Sequence, residues 1–205
     1  MADAELIGFD PAEVLPGEDR VLARSGCPPS RRGRFGTEVR KALEVVSRLA
    51  DPRALVRTLD VTQLDEDVLA TDEIRLNSAS LARFMKGTVR VSLFLVTIGP
   101  LPEQKASRMG EAGRYTESYF LDTAASSMVE ELLRKLHRQL SSRFPGFIST
   151  ARFAPGFGDF HLSVQAELVS LLEGSRAGVS LREGSCMLTP VKSGTGVIGW
   201  ISQRS

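Results

Sequence analysis

The stretch Arg152-Phe-Ala-Pro-Gly-Phe-Gly-Asp159 gathers residue types suited to holding a small molecule. A guanidinium at the end of a predicted strand can clamp a carboxylate through two parallel hydrogen bonds. Ala154 and Gly156 leave room for a ligand to lie against backbone amides and carbonyls. Pro155 stiffens the turn. Phe157 offers a ring face to an apolar or cationic group. On spacing alone an ordinary Pro-Gly turn with an exposed arginine accounts for the stretch equally well.

Other reactive residue types form no constellation. Cys27 and Cys186 make no C-x-x-C pair, and His137 and His161 stand alone, so no zinc-type cluster is expected. No Ser or Cys has a local His partner for nucleophilic catalysis. Gly194-Thr-Gly196-Val-Ile-Gly199 matches a dinucleotide fingerprint literally. That fingerprint needs a following helix to aim at a pyrophosphate, and the few residues after it cannot supply one. These glycines are expected to allow tight turns or close backbone approach in a terminal hairpin. Glu130 and Glu131 read as the solvated side of a helix.

Several elements must position Arg152. A helix is expected over 37–50, capped by Thr37, with Val39, Leu43, Val46 and Leu49 on one apolar stripe. Strands are expected at 54–61 and 74–76, with the acidic stretch 65–72 as a surface turn. Ser78 or Ser80 should cap a short helix through 84–85. Residues 89–98 (VRVSLFLVTI) alternate and then become continuously apolar, as a central strand buried on both faces does. Residues 114–142 predict a helix of about 29 residues, ~43 Å long at ~1.5 Å per residue. Beyond it come a strand over 147–153, a helix capped by Ser163 that ends near Leu172, strand segments over 179–182 and 186–188, and a closing strand over 196–202. Helices and strands alternate without βαβ spacing. The expected class is α+β, a mostly antiparallel twisted sheet with long helices packed on it.

Length and charge bound what such a fold can do. The chain has 205 residues, enough for one domain with a stable core. Residues 1–35, rich in Pro and Gly, read as an N-terminal arm or loop, and 36–205 as a single domain. Lys and Arg number 26 against 25 Asp and Glu, a net charge of +1. That balance gives no global electrostatic reason to bind nucleic acid or acidic lipid. The first residues are acidic and lack an apolar core, and no apolar run approaches a membrane span. A cytoplasmic protein is expected.

The R-x-A-P-G-aromatic run resembles the S-adenosylmethionine-binding signature of the activation (reactivation) domain of cobalamin-dependent methionine synthase. Gly178-Val-Ser-Leu181-Arg-Glu183-Gly-Ser-Cys-Met187-Leu-Thr-Pro190 resembles that family's pattern of Gly, Leu-x-Glu, Met and Pro before a Ser/Gly-rich terminal strand. Residues 93–99 (LFLVTIG) and the helix over 119–140 also resemble stand-alone versions of the domain. The resemblance spans roughly 75–200 and is sharpest over 152–196. It implies an activation-domain-like α+β fold and S-adenosylmethionine as ligand. Arg152 would hold the methionyl carboxylate, with Ala154, Gly156, Phe157, Glu183 and Ser193 around the ligand. Phe157 stands where the pattern usually has Tyr, so a hydroxyl contact is lost. Thr189 looks like an extra residue before Pro190.

The resemblance further implies reductive methylation of cobalamin carried by a separate partner. That partner would be a corrinoid protein or a methionine synthase core, since this chain shows no cobalamin-binding motif. A reductase or flavodoxin-like protein would donate electrons. No catalytic acid, base or nucleophile is required of the chain, so whether it is itself an enzyme stays open. Two other classes are also open: a non-catalytic adaptor for corrinoid proteins, and a small-molecule methyltransferase using the same shelf.

Overall fold

The computed structural model describes residues 3–203. Residues 1–2 and 204–205, the outer ends of the two expected segments, lie outside the described residues, as does the side chain of Arg31. In chain order the elements are β1 (Glu5–Gly8), α1 (Glu18–Arg24), α2 (Gly36–Leu49), β2 (Arg53–Asp60), β3 (Gln63–Leu64), β4 (Val68–Ala70), β5 (Arg75–Asn77), α3 (Ala79–Phe84), β6 (Thr88–Thr97), α4 (Leu101–Glu111), α5 (Tyr115–Arg143), β7 (Phe147–Ser149), α6 (Val164–Leu171), β8 (Ser180–Leu181), β9 (Leu188–Thr189) and β10 (Ser193–Ser202). The fold is α+β, with antiparallel sheets and long helices.

The main sheet has the order β1-β2-β6-β10-β7, and every neighbouring pair is antiparallel. The apolar run at 89–98 becomes β6 at its centre. Phe94 and Val96 face one core; Leu93 and Leu95 face the other. Side chains alternate across a strand, so a strand covered on both faces must be apolar at successive positions.

Helices α1, α2, α4 and α5 cover the first face, with Met128, Leu132, Leu136 and Leu140 of α5 buried against it. Burying each such side chain contributes about 1.5–3 kcal/mol. The second face carries α3, α6 and two small sheets, β3-β4-β5 and β8-β9.

Three expectations differ. Residues 1–35 hold more than an arm or loop. Glu5–Gly8 pair with Arg53–Val56 at the sheet edge, and Val14, Val21 and Leu22 are buried in the core. The Pro and Gly residues punctuate short elements here rather than preventing them. The stretch 65–72 is not wholly a surface turn, because Val68, Leu69 and Ala70 form buried β4 between its acidic ends. Thr37 does not cap α2; a 3-10 turn over Pro29–Phe35 leads directly into the helix. Helix α4 answers to no sequence expectation, having only Pro102, Ala106 and Met109 buried.

Candidate functional site

The site is built where the chain leaves β7 beside β10. Phe147–Ser149 pair with Trp200–Ser202. The Thr150 N–H donates to the Gly199 carbonyl at 2.9 Å. Phe153 then bridges Val197 through two backbone hydrogen bonds of 2.9 and 2.8 Å. The strand expected over 147–153 is thus a short strand followed by one isolated bridge. Because Val197 turns its backbone groups toward Phe153, the alternate residues Thr195 and Ser193 turn theirs the same way. Past the bridge, Thr195 takes no backbone partner on that edge among the described residues.

The faces of β10 decide which side chains meet. Ile198 and Trp200 pack on the α5 side, and Val197 packs on the other. By period two, Gly194 and Gly196 also face α5. Gly194 leaves open space there, with only Val96 near the limit of contact at 3.9 Å from an added Cβ. At Gly196 a Cβ would press on Phe94 (2.6 Å) and on the Phe153 carbonyl (2.8 Å). Gly196 therefore needs glycine because Phe94 and the Phe153 carbonyl fill the space above it, and only Gly194 leaves bare backbone as an open floor.

Two ion pairs tie α5 to the ends of this floor. The Lys192 ammonium meets Asp122 at 2.7 Å and donates to the Ser126 hydroxyl at 2.8 Å. Arg152 reaches Glu130 at 3.7 Å. Residues 122, 126 and 130 succeed one another by four, so they form one stripe on α5. Glu130 was expected merely to face solvent; the i,i+4 series with Asp122 and Ser126 is the signal in the sequence that marks it. The Glu130 contact is long for a fork, so most of the guanidinium's hydrogen-bonding capacity is free. Arg152 is half-buried, and burial lowers its pKa while Glu130 opposes that shift and Arg134 adds to it.

The remaining predicted residues divide. Ala154, Gly156 and Phe157 lie in one tight loop directly after Arg152. The Gly156 N–H donates to the Phe160 carbonyl (2.7 Å), and the Phe157 N–H to the Ala154 carbonyl (3.2 Å). Phe157 is exposed, its ring edge-on to buried Phe153 at 5.8 Å. Ser193 begins β10, but its hydroxyl meets Thr97 at 2.9 Å on the face away from α5. Only its backbone can serve the cleft. Glu183 is exposed in the β8–β9 turn and makes no ion pair with Arg152. That turn is tied instead to Gln165, whose amide donates to the Cys186 carbonyl at 2.7 Å. Ser163 stands at the start of α6 without a side-chain capping bond.

Asp159 anchors the loop. Its carboxylate accepts from the Ser78 hydroxyl (2.6 Å) and from the Ala79 (2.9 Å) and Ser80 (3.0 Å) amides at the start of α3. The Ser78 bond, then the Ser80 amide, hold its pKa far below the usual carboxylate range. A depressed acid stabilises the fold above its unfolded pKa, about 3.9, and loses that contribution as pH falls below it. Asp159→Asn should accordingly speed hydrogen exchange at the Ala79 and Ser80 amides at pH 7. Unchanged protection would show that the carboxylate does not hold the loop.

No protein-family model matches the chain, and no curated protein sequence does. The fold has a counterpart among solved structures. The chain is similar to the crystal structure of the MetH reactivation domain bound to AdoHcy, with a TM-score of 0.72 and 14% identity. The match covers 98% of this chain and 79% of that one. The fold of this protein is therefore that of the MetH reactivation domain. No helix among the described residues is long and apolar enough to cross a membrane.

Proposed function

We propose that this protein binds S-adenosylmethionine at the Arg152 shelf and supports reductive methylation of cobalamin held by a separate corrinoid protein. The observation that carries this reading is an incompletely paired, half-buried Arg152 on a fold similar to a solved domain bound to AdoHcy. The residues fit the ligand by charge and shape. Arg152 supplies the fork for a carboxylate, and Glu130 lies close enough to accept from an ammonium bound beside it. Gly194 leaves room for a ligand against the start of β10, where the outward Thr195 backbone can donate and accept. Phe157 is exposed on the loop after Arg152, but its ring packs edge-on to Phe153 on the face away from α5, so the shelf does not rest on it.

S-adenosylmethionine would supply the methyl group by breaking its S–CH3 bond and leaving as S-adenosylhomocysteine, and cobalamin on the partner, reduced by the electron donor, would supply the electron pair. The chain's own contribution is orientation. Arg152 fixes one end of the ligand, Asp159 fixes the loop that follows Arg152, and the Lys192–Asp122 pair holds α5 at the far end of the floor. No proton has to move, so no acid–base pair is required. A methionine synthase core or another corrinoid protein serves as partner, with a reductase or flavodoxin-like protein as electron donor.

The test uses S-adenosylmethionine labelled in its methyl group, a corrinoid protein and a flavodoxin-like reductant. Label should reach the corrinoid only when this chain is present. Binding of the corrinoid protein without binding of S-adenosylmethionine would replace this reading with an adaptor. Transfer to a small acceptor without any corrinoid would replace it with a small-molecule methyltransferase.

A further inference from the structure

A second concavity adjoins the shelf. It is open to solvent, holds about 440 Å³ and is lined by Arg134, His137, Arg138, Ser141 and Arg152. Four of these come from consecutive turns of α5, and Arg152 arrives on the segment after β7. No carboxylate lines it. The nearby acids are engaged or distant: Glu131 bonds both Arg134 (2.7 Å) and Arg20 (2.8 Å), and Glu130 stays 3.7 Å from Arg152. Arg138 is exposed and has no ion-pair or hydrogen-bond partner among the described residues.

This arrangement opposes itself electrostatically. Arg134 and Arg138 lie one turn apart, where like charges repel. Burial, and then the positive charge of Arg152, lower the pKa of His137, whose Nε2 lies 2.9 Å from the Ser149 hydroxyl. An anion in the cavity would offset the repulsion among these cations and the effect of the Arg152 charge on His137. A carboxylate, flat and with two oxygens, is satisfied by one guanidinium fork. A tetrahedral phosphate presents oxygens in several directions and suits guanidinium groups approaching from two walls.

We propose that this cavity binds a phosphate group, with Arg134, Arg138 and Arg152 as its cations and Ser141 as a neutral donor. The site stands independently of the S-adenosylmethionine reading, although both would use Arg152. Arg138 belongs to the cavity alone.

The two histidines of the chain make the test direct. Inorganic phosphate, and separately a nucleoside monophosphate, are titrated into the full chain at constant ionic strength while both imidazoles are followed by NMR. His137 should shift saturably, and exposed His161, outside the cavity, should not. Tighter binding of the monoester would assign the site to a phosphate-bearing metabolite, and equal binding to free phosphate. Arg138→Ala should weaken either by about tenfold or more and leave S-adenosylmethionine titration unchanged. The proposal is overturned if His137 does not shift by tens of millimolar phosphate, if chloride alone gives the same shift, or if Arg138→Ala binds as well as the wild type. Phosphate binding without S-adenosylmethionine binding would remove the shelf reading and leave this one standing; the converse result would do the reverse.

Discussion

Arg152→Ala should lose about 30- to 150-fold in affinity for S-adenosylmethionine, measured by calorimetric titration beside the wild type. The magnitude follows from removing a charge-assisted, two-pronged contact of about 2–3 kcal/mol. The loss should appear in binding and not in folding. The only ion pair of Arg152 among the described residues is the 3.7 Å contact to Glu130, and both partners are partly exposed. Pairs of that kind contribute about 0–1 kcal/mol to stability. Arg152→Lys keeps the charge but not the planar fork, so its affinity should fall between the two. Equal affinity in all three proteins would place the ligand elsewhere, whatever the fold resembles.

The largest effect on stability is expected at Trp200, the single tryptophan of the chain. It is fully buried near the end of β10, with its ring 4.6 Å from that of Phe144. Its indole N–H donates to the Ser92 hydroxyl at 2.8 Å, and that hydroxyl also lies 2.7 Å from the Thr58 hydroxyl. Trp200→Ala should cost about 3–5 kcal/mol, because it leaves a cavity between sheet and helix and strips a partner from buried Ser92. Against a typical total of about 5–15 kcal/mol, this is a severe loss. Circular dichroism should report a midpoint lowered by roughly 6–20 °C. Trp200→Phe fills most of the space and loses the N–H bond, so it should cost less. A loss below about 1 kcal/mol for the alanine variant would mean that the end of β10 does not anchor the sheet.

Patterns that depend on one segment alone could be read before any fold was known. The long apolar stripe of α5 and the unbroken apolar run of β6 are such patterns, because burial on one or both faces imprints its own period. A serine cap at Ser78 or Ser80 could be read for the same reason, and the structure decides for Ser78, whose hydroxyl accepts from the Leu81 amide three residues away. Arg152 with Ala-Pro-Gly-Phe stood out because a stiff, small turn beside a cation is a local chemical signal.

What the sequence withheld was decided across the chain. Strand β1 has only four residues, three of them exposed, and exists because β2 offers an unpaired edge. Buried β4 sits inside an acidic run whose charges hid its three apolar residues. The hydroxyl of Ser193 could be placed beside Arg152 in sequence, yet the pleat of β10 sends it to the opposite face, to Thr97. Glu130 became a partner for Arg152 only when α5 was laid along β10, and Asp159 came to accept from the first amides of a helix some eighty residues earlier. Residue types and local periods were thus determined by the sequence itself. Which residues meet, and from which face, was decided by strand register and helix docking, since a shift of one residue reverses every side chain in a strand.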